Sequence, residues 1–233
     1  MKQRKSLVIA VLTIAFIGLA IWQWRAAFTV VPIEEIEQAE RSEAFDPVAY
    51  VDAIWESRII PTILEKAVDL STVLSDIETD DRGFAAKDQL IQVANKYGLI
   101  TVGEAHVYMV KGRGRVTAVD TTSRLATFEI ALENYAGPIK VKIYLRRIPS
   151  DDTSVRDAVG FINFGDFREQ TEYGKVGAEI NRRIVEQVLS ELDAEHLEGR
   201  TVSFYGALTI RTFNLVEIDL NQIFVVPVKI EVE

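Results

Sequence analysis

The chain has 233 residues, 48% of them hydrophobic and 26% charged, with a formal net charge of −9. It holds no cysteine, which excludes disulfides, thiol chemistry, a cysteine-ligated iron–sulfur site and a lipidated cysteine, and its two histidines, His106 and His196, are a poor basis for a transition-metal site. Residues 1–25 carry four basic and no acidic side chains, leaving 22 basic against 35 acidic on the remainder, a balance of −13 that argues against a nucleic-acid partner.

Lys2, Arg4 and Lys5 precede Leu7–Trp24, a run with hardly a polar side chain. At about 1.5 Å per residue a helix over this run spans roughly 27 Å, close to the thickness of a bilayer's hydrocarbon core. The basic tip holds the N-terminus in the cytoplasm and sends the rest across. The expectation is a single-pass anchor in the inner membrane over residues 1–25, a stalk over 26–45 and a C-terminal domain in the periplasm. A cleaved signal peptide, with Gly18-Leu19-Ala20 as its processing site, is the competing reading. A buried helix of a cytoplasmic protein is a third.

Asp46-Pro47 opens the first confident element, with Asp as cap and Pro in the first turn. Val48, Val51, Ile54, Trp55 and Ile59 then keep helical spacing until Pro61 interrupts. A second helix is predicted over Thr62–Ile77. A third starts at Asp80 or Asp81 and ends at Gly98, read as a left-handed terminator.

From Gly103 the apolar period changes from about 3.6 to 2, the mark of strands. The predicted runs are Ala105–Lys111, Arg113–Asp120, Leu125–Glu133 and Ile139–Arg146, joined by short turns into an antiparallel meander. Val155–Phe164 reads as another strand or an irregular crossing. Tyr173, Val176, Ile180, Ile184, Val188 and Leu192 mark one long amphipathic helix. Val202–Ile210 and Ile223–Val232 close the chain as strands, with Pro227 at an edge or a bulge.

A meander of three strands, a helix and two more strands is the element order of an OB-type barrel. The fold class is therefore α+β: an N-terminal transmembrane helix, a helical segment over 46–98, and a β-rich OB-like barrel or sheet over 99–233 with one long packed helix. The last two segments form one ectodomain. A generic α+β sheet with a packed helix is the alternative.

Lys111-Gly112-Arg113-Gly114-Arg115 is the dense basic cluster beyond the N-terminus. It reads either as a charged glycine bulge between strands or as an anion site. Lys140, Lys142, Arg146 and Arg147 extend the positive charge, as a solvated sheet face or a local binding surface. Phe161, Asn163, Phe164, Asp166 and Phe167, beside Arg156 and Asp157, combine aromatic rings with polar side chains. A sugar pocket uses these groups, rings stacking on the pyranose and polar groups taking its hydroxyls. A core corner with satisfied polar groups has the same composition. Thr79–Gly83 and Ser150–Asp152 lack the ligand spacing of a calcium loop and read as caps and turns. No nucleophile motif or carboxylate pair stands out, so the expectation is a protein that is not an enzyme and needs no cofactor.

Phe45-Asp46-Pro47, Tyr50-Val51, Ile54-Trp55, Ile60-Pro61, Lys96-Tyr97-Gly98 and above all Arg156–Phe167 resemble an uncharacterised bacterial family of predicted periplasmic lipoproteins. Gly199–Ala207 and Val226-Pro227-Val228 fit the same likeness, which covers residues 29–232. The resemblance implies an envelope location. Because such proteins are often encoded near sugar ABC-transport components, it also implies an accessory part in solute uptake, with a transport component or a small sugar as partner. The chain departs from the family in having Ala26-Ala27-Phe28-Thr29 where a lipobox cysteine belongs, so attachment falls to Leu7–Trp24. It also has Arg168-Glu169-Gln170 where an Asn-Gln pair is expected. The resulting expectation is a membrane-anchored, non-enzymatic ligand-binding or accessory module, with a structural scaffold of the envelope as the alternative.

Overall fold

The computed structural model describes residues Phe45–Glu233, and Asp46–Glu233 forms one compact unit. The expected anchor and nearly all of the stalk lie outside the described residues. Among those described, no helix is long and apolar enough to cross a membrane.

Helix α1 spans Pro47–Ile54, capped by Asp46, whose carboxylate accepts from the amides of Val48 and Ala49 at 2.9 and 3.1 Å. Pro61 does not end the helical path. A π-helical turn over Trp55–Ile59, closed by the Ile60 amide on the Trp55 carbonyl, leads directly into α2, Ile60–Lys66, with Pro61 in its first turn. The single helix expected over Thr62–Ile77 is instead broken at Ala67, which turns extended. A short strand β1, Val68–Asp69, follows, and Asp69 then caps α3, Leu70–Ser75.

The third helix starts later than expected. Asp80 folds into a turn, accepting from the amides of Arg82 and Phe84 at 2.9 Å each, and β2, Phe84–Ala86, precedes α4, Lys87–Tyr97. Gly98 is extended, at φ −141°, and not left-handed. A Cβ there would lie 2.4 Å from the Val107 carbonyl oxygen, so glycine permits close chain approach at that point. It leads into β3, Leu99–Ile100.

The expected strands 105–111 and 113–120 are one continuous β4, Ala105–Asp120. Gly112 and Gly114 sit inside it: a Cβ on Gly112 would strike the Phe204 ring at 2.8 Å, and one on Gly114 the Ala131 carbonyl oxygen at 2.2 Å. β5, Thr127–Leu132, and β6, Lys140–Tyr144, complete an antiparallel meander. Val155–Phe164 contains no strand. It holds most of the short helix α5, Ser154–Ala158, and leads into a 3₁₀ turn at Phe164–Asp166. The amphipathic pattern from Tyr173 folds as α6, Gln170–Ile184, prolonged by a π-helical turn over Val185–Leu189, and not as one uninterrupted α-helix to Leu192. β7, Thr201–Arg211, the short β8, Glu217–Asp219, and β9, Gln222–Val232, finish the chain.

The sheet closes on itself. β4 pairs with β5, β5 with β6, β6 with β9 in parallel, β9 with β7, and β7 returns to β4. The β7–β9 ladder slips in register at Tyr205/Gly206, opposite Pro227, which is the expected bulge. Phe128, Ile143, Val202, Phe204 and Val225 belong to one fully buried cluster with Leu70 and Leu74 of α3 and Leu90 of α4. Inward residues of a small barrel fill its interior in this way. A second set, Val51, Trp55, Ile59, Ile63, Val155, Val176, Ile180 and Ile184, is buried outside that cluster. There α1 packs on α6, while α2 and α5 lie on β4 and β7. The Asp46–Glu233 unit is thus a filled barrel whose β4–β7 wall carries an outer layer of helices.

Candidate functional site

The seven residues that composition singled out lie on α5 and the irregular stretch after it, and most of them are occupied with one another. Arg156 is buried at 8% exposure. Its Nε donates to Asp157 Oδ1 at 2.8 Å, its Nη1 to the Tyr173 carbonyl at 3.1 Å, and its guanidinium lies 3.6 Å from the centre of the Tyr173 ring. Asp157 also accepts from the Tyr173 hydroxyl at 2.9 Å and from Thr153 Oγ1 at 2.6 Å. Burial first, and the nearby Asp157 carboxylate second, push the Tyr173 phenol up to about 12. A buried charge needs this degree of pairing, and here every strong group of the network has a partner.

Asn163 and Asp166 bind each other across the 3₁₀ turn. The Asn163 amide donates to Asp166 Oδ2 at 3.2 Å, and the Asp166 amide to the Asn163 carbonyl at 3.0 Å. Phe167 packs between Tyr50 and Tyr173, with ring centres 5.4 and 5.5 Å apart, and the exposed Phe164 meets Tyr173 edge-on at 5.7 Å. These rings fasten the stretch to α1 and α6. They strap elements together.

Phe161 alone of the seven lines a large groove, of about 640 Å³. Val107 and Met109 of β4 lie at its base together with Val159, α2 and the turn before it form one wall, and Tyr97-Gly98-Leu99 forms the other. Such a volume falls in the range of small-molecule sites. Arg58 stands 3.9 Å over the Phe161 ring. Arg58, Glu65 and Lys66 are exposed at this groove and make no ion pair among the described residues. The positive φ of Gly160, +73°, turns the chain so that Phe161 reaches Arg58. Arg58, Glu65 and Lys66 escaped the sequence reading because charges on a helix surface ordinarily mean solvation. Their one local signal was a spacing of seven and eight residues from Arg58, which puts them on one helical side.

Of the other basic candidates, Arg113 and Lys140 are paired with carboxylates, whereas Lys111, Lys142, Arg146 and Arg147 make no ion pair among the described residues. Arg113 pairs with Glu133 and, at 2.6 Å, with Glu233, while Arg115 Nε donates to the Gly199 carbonyl at 3.1 Å. Lys140 lies 3.5 Å from Glu129. The glycine-rich cluster is therefore neither a bulge between strands nor an open cradle for an anion. A second cleft of about 390 Å³ opens where β7 and β9 part beyond Ala207 and Val226, beside the stacked rings of Tyr144 and Phe224, 5.5 Å apart. Arg211 at its edge is held by Asp151 at 2.9 Å. Among the described residues no group of His, Asp and Glu side chains is arranged to hold a metal ion.

The barrel is similar to a crystal structure of an OB-fold protein from Thermotoga maritima, with a TM-score of 0.60 over 82% of this chain and 100% of that one. At 16% identity the likeness is one of fold. No curated protein matches the chain. A family model described as "predicted periplasmic lipoprotein (DUF2291)" matches residues 16–231.

Proposed function

The chain belongs to this family of predicted periplasmic lipoproteins, and from that premise we propose that it is a non-enzymatic periplasmic module, tethered to the inner membrane through Leu7–Trp24, that binds a small polar ligand. The observation that carries the reading is the groove of about 640 Å³ with three charges, Arg58, Glu65 and Lys66, that make no ion pair among the described residues, and an aromatic ring beside an apolar base. Exposed charges without partners can turn to hydroxyls or a carboxylate at little cost, while the ring and base supply contact to a ligand's apolar faces. A small sugar suits this mixture, and an accessory place in sugar uptake, beside an ABC-transport component, is the role we assign. The Arg156–Asp157–Tyr173 network supports the reading indirectly, because it lies next to the 158–161 stretch that lines the groove and leaves its own charges with no role in binding.

A thermal-shift screen of mono- and disaccharides tests the proposal. The expected result is stabilisation by a subset of sugars that disappears in Glu65→Ala/Lys66→Ala, a pair of exposed side chains that makes no ion pair among the described residues. An equal shift in that double variant removes the groove from the account.

A further inference from the structure

Two neighbouring loops at one end of the barrel present an unusual amount of apolar surface. Leu99 and Ile100 form β3, with Val102 in the turn from it to β4, and Phe213, Leu215 and Val216 follow β7. Ala105 pairs with Arg211, so the two loops leave the sheet side by side. The buried Thr212 hydroxyl donates to the Glu104 carbonyl, and the Lys87 amide donates to the Val216 carbonyl at 2.9 Å, tying both loops to the barrel end. Glu104 and Asn214 are left-handed, at φ +57° and +56°, which turns the chain sharply at each tip. Val102 is 106% exposed, Val216 81% and Phe213 62%. Contiguous apolar exposure of this kind marks an interaction surface.

We propose that these two tips dip into the outer leaflet of the inner membrane. Their shape favours a bilayer over a protein partner. Val102 is as open as in an extended chain, and Val216 and Phe213 are mostly so, a form that a soft lipid interface accepts at any orientation. Most of the charge around them is paired: Glu104 with Lys87 at 2.6 Å and Arg211 with Asp151 at 2.9 Å, while Glu217 shares Arg82 with Asp80, at 3.2 and 2.8 Å. The exposed side chains at the tips themselves, Val102, Phe213 and Val216, carry no charge to desolvate.

The chain outside the structure argues the same way. The proposal rests on the tether read in Leu7–Trp24. About 20 residues separate that run from Asp46 and can reach about 70 Å, against a diameter near 40 Å for a unit of this size, so any face can meet the membrane. A tether of that length keeps the tips at high effective concentration, and a weak apolar contact then suffices.

The absence of cysteine makes the test clean. Full-length Val102→Cys, Val216→Cys and Thr122→Cys proteins, the last labelled past the far end of the 16-residue β4, are tagged with an environment-sensitive nitrobenzoxadiazole dye and mixed with phosphatidylethanolamine/phosphatidylglycerol vesicles. Flotation reads the tether, and the dye reads the tips. Flotation with a blue shift at 102 and 216, quenched by lipid-borne spin labels, and an aqueous signal at 122 is the expected result. Flotation with an aqueous signal at all three positions overturns the tip contact and leaves the tether standing. Neither flotation nor a blue shift overturns both.

Discussion

Arg156 binds a carboxylate, a carbonyl and an aromatic face at once, and its side chain is 9% exposed beside an Asp157 at 14%. Arg156→Leu removes the cation and leaves Asp157 charged and nearly enclosed. We expect a loss of about 3 kcal/mol in chemical denaturation, since breaking a buried pair strands the remaining charge. Tyr173 gives the same network a pH signature. Its phenol titrates at 10.0 as a free side chain and at about 12 in place, so the fold favours the neutral form. That stabilisation is present in full below pH 10 and is lost as pH rises through 12. Unfolding followed by circular dichroism between pH 9 and 12 should steepen with alkali, and Tyr173→Phe should flatten the curve; identical slopes in the two proteins would contradict the assignment. Burial also raises the Tyr108 and Tyr144 phenols, and they add to the slope in both proteins.

Among the elements, β4 is the one that local sequence describes least well. Gly112 and Gly114 look like a turn because nothing within a few residues reveals the Phe204 ring and the Ala131 carbonyl that press against them. Those partners arrive from β7 and β5. Gly114→Ala should cost about 3 kcal/mol by forcing β4 from β5, whereas Gly165→Ala, with nothing within 4 Å of the new carbon, should change stability little. Equal melting temperatures for the two variants would sink the close-approach account. The alternation in Ile139–Leu145, by contrast, was legible, because one face of β6 enters the filled barrel along its whole length. The Asp46 cap was legible for a similar reason, since its partners lie two and three residues away. Pro61 misled because a π-helical turn upstream shifted the hydrogen-bond register, a device with no composition of its own. In the site, the rings and polar groups of 161–167 were visible, but their role depends on Tyr173 and Tyr50, which come from elsewhere in the chain.

At the scale of the whole molecule, charge and apolar surface are segregated. Several cations of the sheet are paired with neighbouring carboxylates, the groove beside α2 keeps two cations and one carboxylate that make no ion pair among the described residues, and the barrel end keeps its apolar side chains bare. The element order of an OB barrel followed from periodicity alone, and the structural likeness to the Thermotoga maritima protein agrees with it. The helical layer over the β4–β7 wall is what separates one usable groove from the rest of the surface.

The closure of the barrel also bears on how such a chain reaches its compartment. β4 must wait for β7, and β6 must wait for β9, the last strand of the chain. A polypeptide threading a translocation pore from its N-terminus cannot seal its main core until its final strand has emerged. Long-range pairing of this kind folds slowly. The delay keeps the chain thin enough to thread, and it leaves the unfinished meander dependent on whatever guards unfolded proteins on the far side.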